Sequence, residues 1–173
     1  MANSWTFRKI PNLREDESLQ RLMQFYLIQS PVPGASVKGE TFKQRGWKKH
    51  SFLNLQAQMR SSSKSFTKAN WITSSTKDVP KELQNLSRFD NFDCSFEFAV
   101  HTVKSGLNQT EALFYFIRNS FAHGGYRKCK YENDIYYAFE NRQGKHLKGR
   151  AVLAESTLLA WINLVKKGPS AVV

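Results

Sequence analysis

Leu19, Leu22, Met23 and Tyr26 stand three, four and seven positions apart, the spacing that gathers side chains on one face of a helix. Asn12 is a capping residue type ahead of them, and Pro31, Pro33 and Gly34 supply the stop. A shorter helix is expected from Ser51, carrying Phe52, Leu55 and Met59, with RSSSKS after it as a loop. Phe89, Phe92, Phe96, Ala99 and Val103 recur at helical spacing, although Phe92, Cys94, Phe96, Phe98 and Val100 also alternate as a strand would. The stop signal Ser105-Gly106 favours the helix.

The clearest start signal follows. Asn108 and Glu111 are spaced as a capping box, with Asn in place of the usual Ser or Thr. Leu113, Phe114, Ile117 and Phe121 then form an apolar face, and Gly124-Gly125 close the helix. IYYAFE (135–140) and LKGRAVL (147–153) flank RQGKH and predict a β-hairpin. Ser156 is placed to cap a last helix with Leu158, Trp161, Ile162 and Val165, ended by Gly168-Pro169. The pattern predicts a mainly α fold with one small C-terminal β-hairpin.

Composition adds bounds to this picture. The 173 residues fit one domain, and 40% hydrophobic with 13% aromatic residues call for a packed core. The formal net charge of +12 draws polyanions toward the protein, nucleic acid and acidic membrane surface alike. No window is apolar enough to span a bilayer and the N-terminal stretch lacks a signal-peptide core, so a cytoplasmic protein without a membrane partner is expected. Cys94 and Cys129 are too few for a disulfide framework, and reduced thiols are expected. Neither they nor His50, His101, His123 and His146 have metal-ligand spacing, so no metal or cofactor is expected.

Charge is distributed unevenly. Between residues 36 and 72, Lys38, Lys43, Arg45, Lys48, Lys49, Arg60, Lys64 and Lys68 face only Glu40, with Trp47, Phe52, Phe66 and Trp71 among them. That segment reads as a basic insertion after the first helix, suited to single-stranded RNA through residues such as Lys48 and Lys49. The alternative is that its aromatics fill the core.

The run TEALFYFIRNSFAHGGY (110–126) places Arg118, Asn119 and His123 at the end of an apolar helix. Asn119 and His123 share a face, whereas Arg118 and His123 are offset by roughly 140° at about 100° per residue. Either the helix breaks before His123, or the same helix of a second chain completes the pocket across a two-fold axis. A histidine beside a permanent cation suits phosphodiester cleavage: His123 shuttles a proton, Arg118 binds phosphate oxygens, and Asn119 orients His123 or the phosphate. The RNA 2′-hydroxyl supplies the nucleophile, so the chemistry needs no metal. An equally simple reading makes Arg118 and His123 cations at a helix C-terminus, where they favour the dipole.

The segment IRNSFAHGG resembles the signature of the HEPN superfamily, in which an Arg and a following polar residue precede a His with four to six positions between Arg and His. Arg118, Asn119 and His123 match it with four intervening residues. The stretch YYAFENRQGKHLKGRAVLAESTLLAWINLV is similar to small HEPN proteins of mobile and defence-related prokaryotic loci, and the resemblance covers about residues 92–167, the motif-bearing core of a single domain spanning 1–173. It implies a helical bundle, a homodimer that brings two motifs together, and a metal-independent endoribonuclease of toxin or defence type leaving 2′,3′-cyclic phosphate and 5′-hydroxyl ends. The catalytic roles fall by position on Arg118, Asn119 and His123. Some members bind RNA or a partner without cutting, and some toxins are neutralised by an antitoxin that modifies a Tyr two positions after the motif His. Here Tyr126 lies three positions after His123, so it either stacks on a base or packs under the hairpin, with Arg127, Lys128 and Lys130 placed to follow an RNA backbone. A binding module, or a membrane-surface or DNA-binding adaptor using the basic region, are the alternatives to the nuclease.

Overall fold

The computed structural model describes residues 16–35 and 37–169. Its centre is a five-stranded mixed sheet in the order β1-β2-β5-β4-β3, and this overturns the expected mainly α bundle. The strands are β1 (Trp71–Ser74), β2 (Phe98–Thr102), β3 (Tyr126–Tyr131), β4 (Asp134–Gln143) and β5 (His146–Ala154), and the α-helices are α1 (Glu17–Met23), α2 (Ser51–Ser61), α3 (Gln109–Ala122) and α4 (Glu155–Lys167). β1 runs parallel to β2, whereas the β2–β5, β5–β4 and β4–β3 pairs are antiparallel.

The expected single hairpin is therefore the β4–β5 middle of a larger sheet. The helix expected over residues 89–103 is absent: its C-terminal part is β2, whose Phe98 and Val100 face one side of the sheet and Ala99 the other. Of the two periodicities in that stretch, the alternating one wins: Phe98 and Val100 join the cluster on one side of the sheet, and Ala99 between them the cluster on the other. Only His123, Gly124 and Gly125 separate the end of α3 from the start of β3, whose basic residues carry no strand signal in the sequence.

One face of the sheet carries the helices. Ala99, Tyr137, Phe139, Ala151 and Leu153 pack there against Phe114, Phe116, Ile117 and Phe121 of α3 and Leu158, Trp161 and Ile162 of α4. The aromatic and apolar residues interleaved with the basic ones contribute to this core, the alternative the sequence left open: Phe42, Trp47, Leu55, Met59 and Phe66 are fully or almost fully buried. Their aromatic contacts are dense, with Phe42 edge-on to Phe114 at 5.2 Å and Phe66 edge-on to Trp161 at 5.3 Å. Buried polar tips are satisfied by backbone carbonyls: the Trp47 Nε1–H donates to Val165 at 3.2 Å and the Trp161 Nε1–H to Met59 at 2.8 Å.

The opposite face is covered by irregular chain between β1 and β2, where Val79, Phe92 and Cys94 pack on Val100, Cys129, Ala138 and Val152. The Arg150 guanidinium holds this layer in place, bonding the Gln84 carbonyl and donating from Nε to Glu140 Oε2 at 2.9 Å.

Several expected boundaries shift. Asp16 caps α1, accepting from Leu19 N–H at 2.9 Å, and Asn12 lies outside the described residues. α4 starts at Glu155, with Ala154 and not Ser156 at the cap position. Its open end is served from a distance, because Glu97 Oε1 accepts from Ala154 N–H at 2.7 Å while Oε2 accepts from Ser65 N–H at 2.9 Å. Among the described residues no helix is long and apolar enough to cross a membrane.

Candidate functional site

The capping box that opens α3 is complete: Asn108 Oδ1 accepts from Glu111 N–H at 3.0 Å, and Glu111 Oε2 accepts from Asn108 N–H at 2.9 Å. From there the helix runs unbroken through Arg118 and Asn119 to Ala122, with His123 as its C-terminal cap residue. The two glycines that follow have separate duties. Gly124 takes a left-handed backbone with φ at +68°, which ends the helix. Gly125 donates to Ser120 O at 2.7 Å and accepts from Glu140 N–H at 2.8 Å, and a Cβ on it would lie 2.1 Å from Glu140 O. This close approach lets the chain pass from α3 directly into β3.

A cavity of about 660 Å³ opens along α3, where the C-terminal ends of β1 and β2 meet the β4–β5 hairpin. Ala112, Tyr115, Phe116, Asn119 and His123 line it from the helix. They recur every three or four residues, so one face of α3 forms the wall. Lys77, Lys104, Arg142 and Lys148 line it from the sheet side, and no carboxylate is among the lining residues. Asn141, Arg142 and Gln143 all reach the cavity although they are consecutive. A regular strand sends neighbours to opposite faces, and the irregularity between Asn141 and Arg142 breaks that alternation.

The cations in this wall are not equivalent. Arg142 Nε lies 2.5 Å from Glu140 Oε1, and Lys148 bonds the Lys77 carbonyl and lies 3.8 Å from Asp78 Oδ1. Lys77 and Lys104 make no ion pair among the described residues. Lys104 instead sits over Tyr115, its Nζ 4.3 Å from the ring centre and 3.2 Å from the phenol oxygen.

Arg118 does not line the cavity. It acts on the cavity through its neighbour, its Nη1–H donating to Asn119 Oδ1 at 2.9 Å. With that oxygen occupied, the Asn119 amide NH₂ turns to Tyr115. The Tyr115 phenol is held below the usual tyrosine range, first by its hydrogen bond with Asn119 and then by Lys104. The Arg118 Nε is buried and has no hydrogen-bond partner among the described residues.

Beneath the wall, His101 is fully buried and stacked parallel to Phe116 with ring centres 6.1 Å apart. Its Nε2 accepts from the Trp71 indole N–H at 3.1 Å, and its Nδ1, 3.2 Å from Thr102 O, is then the donor. Burial pushes its pKa down to about 4, so it is neutral and supports the floor.

The remaining sequence-predicted site residues lie elsewhere. Lys48 and Lys49 line a second cavity of about 600 Å³ with Trp47, Phe52 and Leu53 near the start of α3, sharing no residue with the first. Lys128 is bonded to the Asp16 carboxylate and lies 3.4 Å from Glu155 Oε2, so it ties β3 to α1 and α4. Tyr126, at the start of β3 and half-buried, has its ring 5.0 Å from that of Phe121 on α3. Arg127 covers the Phe89 ring at 4.6 Å, and Lys130 is exposed on β3. Tyr115, Lys104, Lys77 and Lys148 were not singled out in the sequence. The signal available for Tyr115 was its position four before Asn119 on one helical face; the lysines come together only through the sheet.

Among the described residues no group of three or more His, Cys, Asp or Glu side chains is arranged to hold a metal ion. Compared with known proteins, the chain matches no protein-family profile, no curated protein and no solved structure.

Proposed function

We propose that the cavity along α3 binds single-stranded RNA and cleaves it without a metal, in the manner of a toxin- or defence-type endoribonuclease. The observation that carries this reading is the joint placement of Asn119 and His123 in a cavity with four cationic side chains and no lining carboxylate. Such a wall attracts phosphate and places a titratable imidazole where a proton has to move. His123 takes the proton of the 2′-hydroxyl or gives one to the departing 5′-oxygen, and the lysines stabilise charge on the phosphoryl oxygens. The motif IRNSFAHGG and its resemblance to the HEPN signature favour the same chemistry, although the five-stranded sheet departs from the bundle that resemblance implies.

Arg118 does not line His123's cavity within one chain, and α3 has no break between them. Direct contact of an Arg118 with the scissile phosphate therefore requires a second copy, and we propose a homodimer in which the two motifs adjoin. The same observation favours a second reading, a module that binds RNA or a regulatory protein without cutting it.

The test is incubation with labelled RNA in EDTA, wild type beside His123→Ala, with end-group analysis of the fragments. The nuclease reading expects cyclic-phosphate ends at a rate that falls about 10²–10⁴-fold in the variant. Intact RNA with salt-dependent binding in both proteins supports the binding module.

A further inference from the structure

The cavity extends well beyond His123. Tyr115 and His123 are eight residues apart on one continuous helix, about 12 Å along its axis at 1.5 Å per residue. One phosphate group is too small to bridge that distance, so groups at the two ends address different parts of a ligand.

The far end has the chemistry of an anion site. Lys104 is exposed, makes no ion pair among the described residues, and spends one of its three N–H donors on the Tyr115 phenol. The Tyr115 oxygen receives Lys104 and Asn119, so its own O–H proton is left to donate. Lys77, on the residues following β1, adds a second unpaired cation to the same wall. A nucleobase is the poorer occupant here, because the Lys104 ammonium already covers the Tyr115 ring face at 4.3 Å.

We propose that Lys104 and Tyr115 form a second phosphate subsite, distinct from the phosphate addressed by His123, so that the cavity selects single-stranded oligonucleotides over dinucleotides. At a rise of about 3.4 Å per nucleotide in a stacked strand, the two phosphates are roughly three steps apart, and fewer in an extended strand. The subsite rests on the proposed reading of the cavity as an RNA site, and it deepens that reading by setting a minimum substrate length. Arg118 enters as a positioning residue, since it holds Asn119 in the orientation that turns its amide to Tyr115.

The experiment uses uncleavable 2′-deoxy oligonucleotides of two, four and eight residues, with binding followed by fluorescence anisotropy for wild type, Lys104→Ala and Tyr115→Phe. Affinity should rise steeply between two and eight residues in wild type, and already at four if the strand is bound extended. Lys104→Ala should lose about tenfold on the longer oligomers and little on the dinucleotide, with the salt slope reduced by about 0.7, the value of one phosphate contact to a single strand. Tyr115→Phe, which keeps the ring under Lys104, should give a smaller loss of the same length dependence. Equal losses at all lengths, or none, would overturn the subsite. Because the oligomers cannot be cut, length-dependent binding with no cleavage of RNA would retain the subsite and discard the nuclease. Cleavage without length dependence would do the reverse.

Discussion

Arg118 and Asn119, consecutive on α3, are joined through their side chains, the guanidinium of the first donating to the amide oxygen of the second at 2.9 Å. That bond fixes which end of the amide meets Tyr115. In Arg118→Ala the amide is free to turn, and the Tyr115 phenol should move up toward the ordinary tyrosine range. A ¹³C-tyrosine NMR titration reads this directly: an unchanged Tyr115 midpoint in the variant would remove Arg118 from the positioning role. For a displaced supporting group we expect RNA turnover to fall about 10–100-fold.

Acid should weaken the fold in two separable windows. His101 is neutral in the fold with its pKa lowered to about 4, whereas an unfolded histidine takes its proton near 6.5. The unfolded state therefore binds more protons between these values, and stability is lost as pH falls from 6.5 to 4, by roughly 3 kcal/mol in all. Asp16 acts lower: burial raises its pKa, but hydrogen bonds from Lys128 and Leu19 outweigh that and hold it below the usual aspartate value. Its contribution is lost only as pH falls below about 4. Denaturant midpoints at pH 7, 5.5 and 4 should drop steadily in wild type and much less in His101→Gln, whose amide oxygen still accepts from Trp71. Parallel curves would assign the acid sensitivity elsewhere.

Gly149 has no room for a side chain. A Cβ there would lie 2.6 Å from Phe116 Cδ2 and 3.0 Å from His101 Cβ. Gly149→Ala should cost about 1–3 kcal/mol by overpacking, and Phe116→Leu added to it should recover part of that loss although Phe116→Leu alone destabilises. Additive losses in a thermal melt would show that the two positions do not compete for space.

Glu97 joins the loop at Ser65 to the start of α4 by accepting one N–H on each carboxyl oxygen. In Glu97→Gln one of these N–H groups faces an amide NH₂, and we expect a loss of about 2–3 kcal/mol. Glu97→Ala leaves both unsatisfied and should cost more. If Gln and wild type melt together, the carboxyl group is dispensable as a cap.

The α-helices were legible in the sequence wherever one amphipathic face met a solvated one. Asn108 and Glu111 mark the start of α3, and Gly124-Gly125 mark its end, because capping is decided within a few residues. β2 was missed because Phe92, Phe96 and Ala99 satisfy a helical period by chance and Ser105-Gly106 imitates a helix stop, which outweighed the alternation of Phe96, Phe98 and Val100. β1 and β3 have polar or basic outer positions such as Ser74, Lys128 and Lys130, so only their pairing partners make them strands. The site divides in the same way. Asn119 and His123 share one helix face, so their co-location follows from spacing, as does the offset of Arg118. Lys77, Lys104 and Lys148 come from three separate segments, and only the sheet's order assembles them.

The parallel pairing of β1 with β2 has a kinetic consequence. A chain leaving β1 has to cross the whole back of the sheet before β2 can lie beside it, and β2 in turn pairs with β5, some fifty residues further on. The β3–β4–β5 meander closes through near neighbours and is the natural early structure, while the β1–β2 edge waits for long loops to close. Lys77 and Lys104 follow directly on those two late strands. Half of the cationic wall is thus among the last parts of the molecule to exist, and a partly folded chain carries the His123 motif with Arg142 and Lys148 beside it but without Lys77 and Lys104.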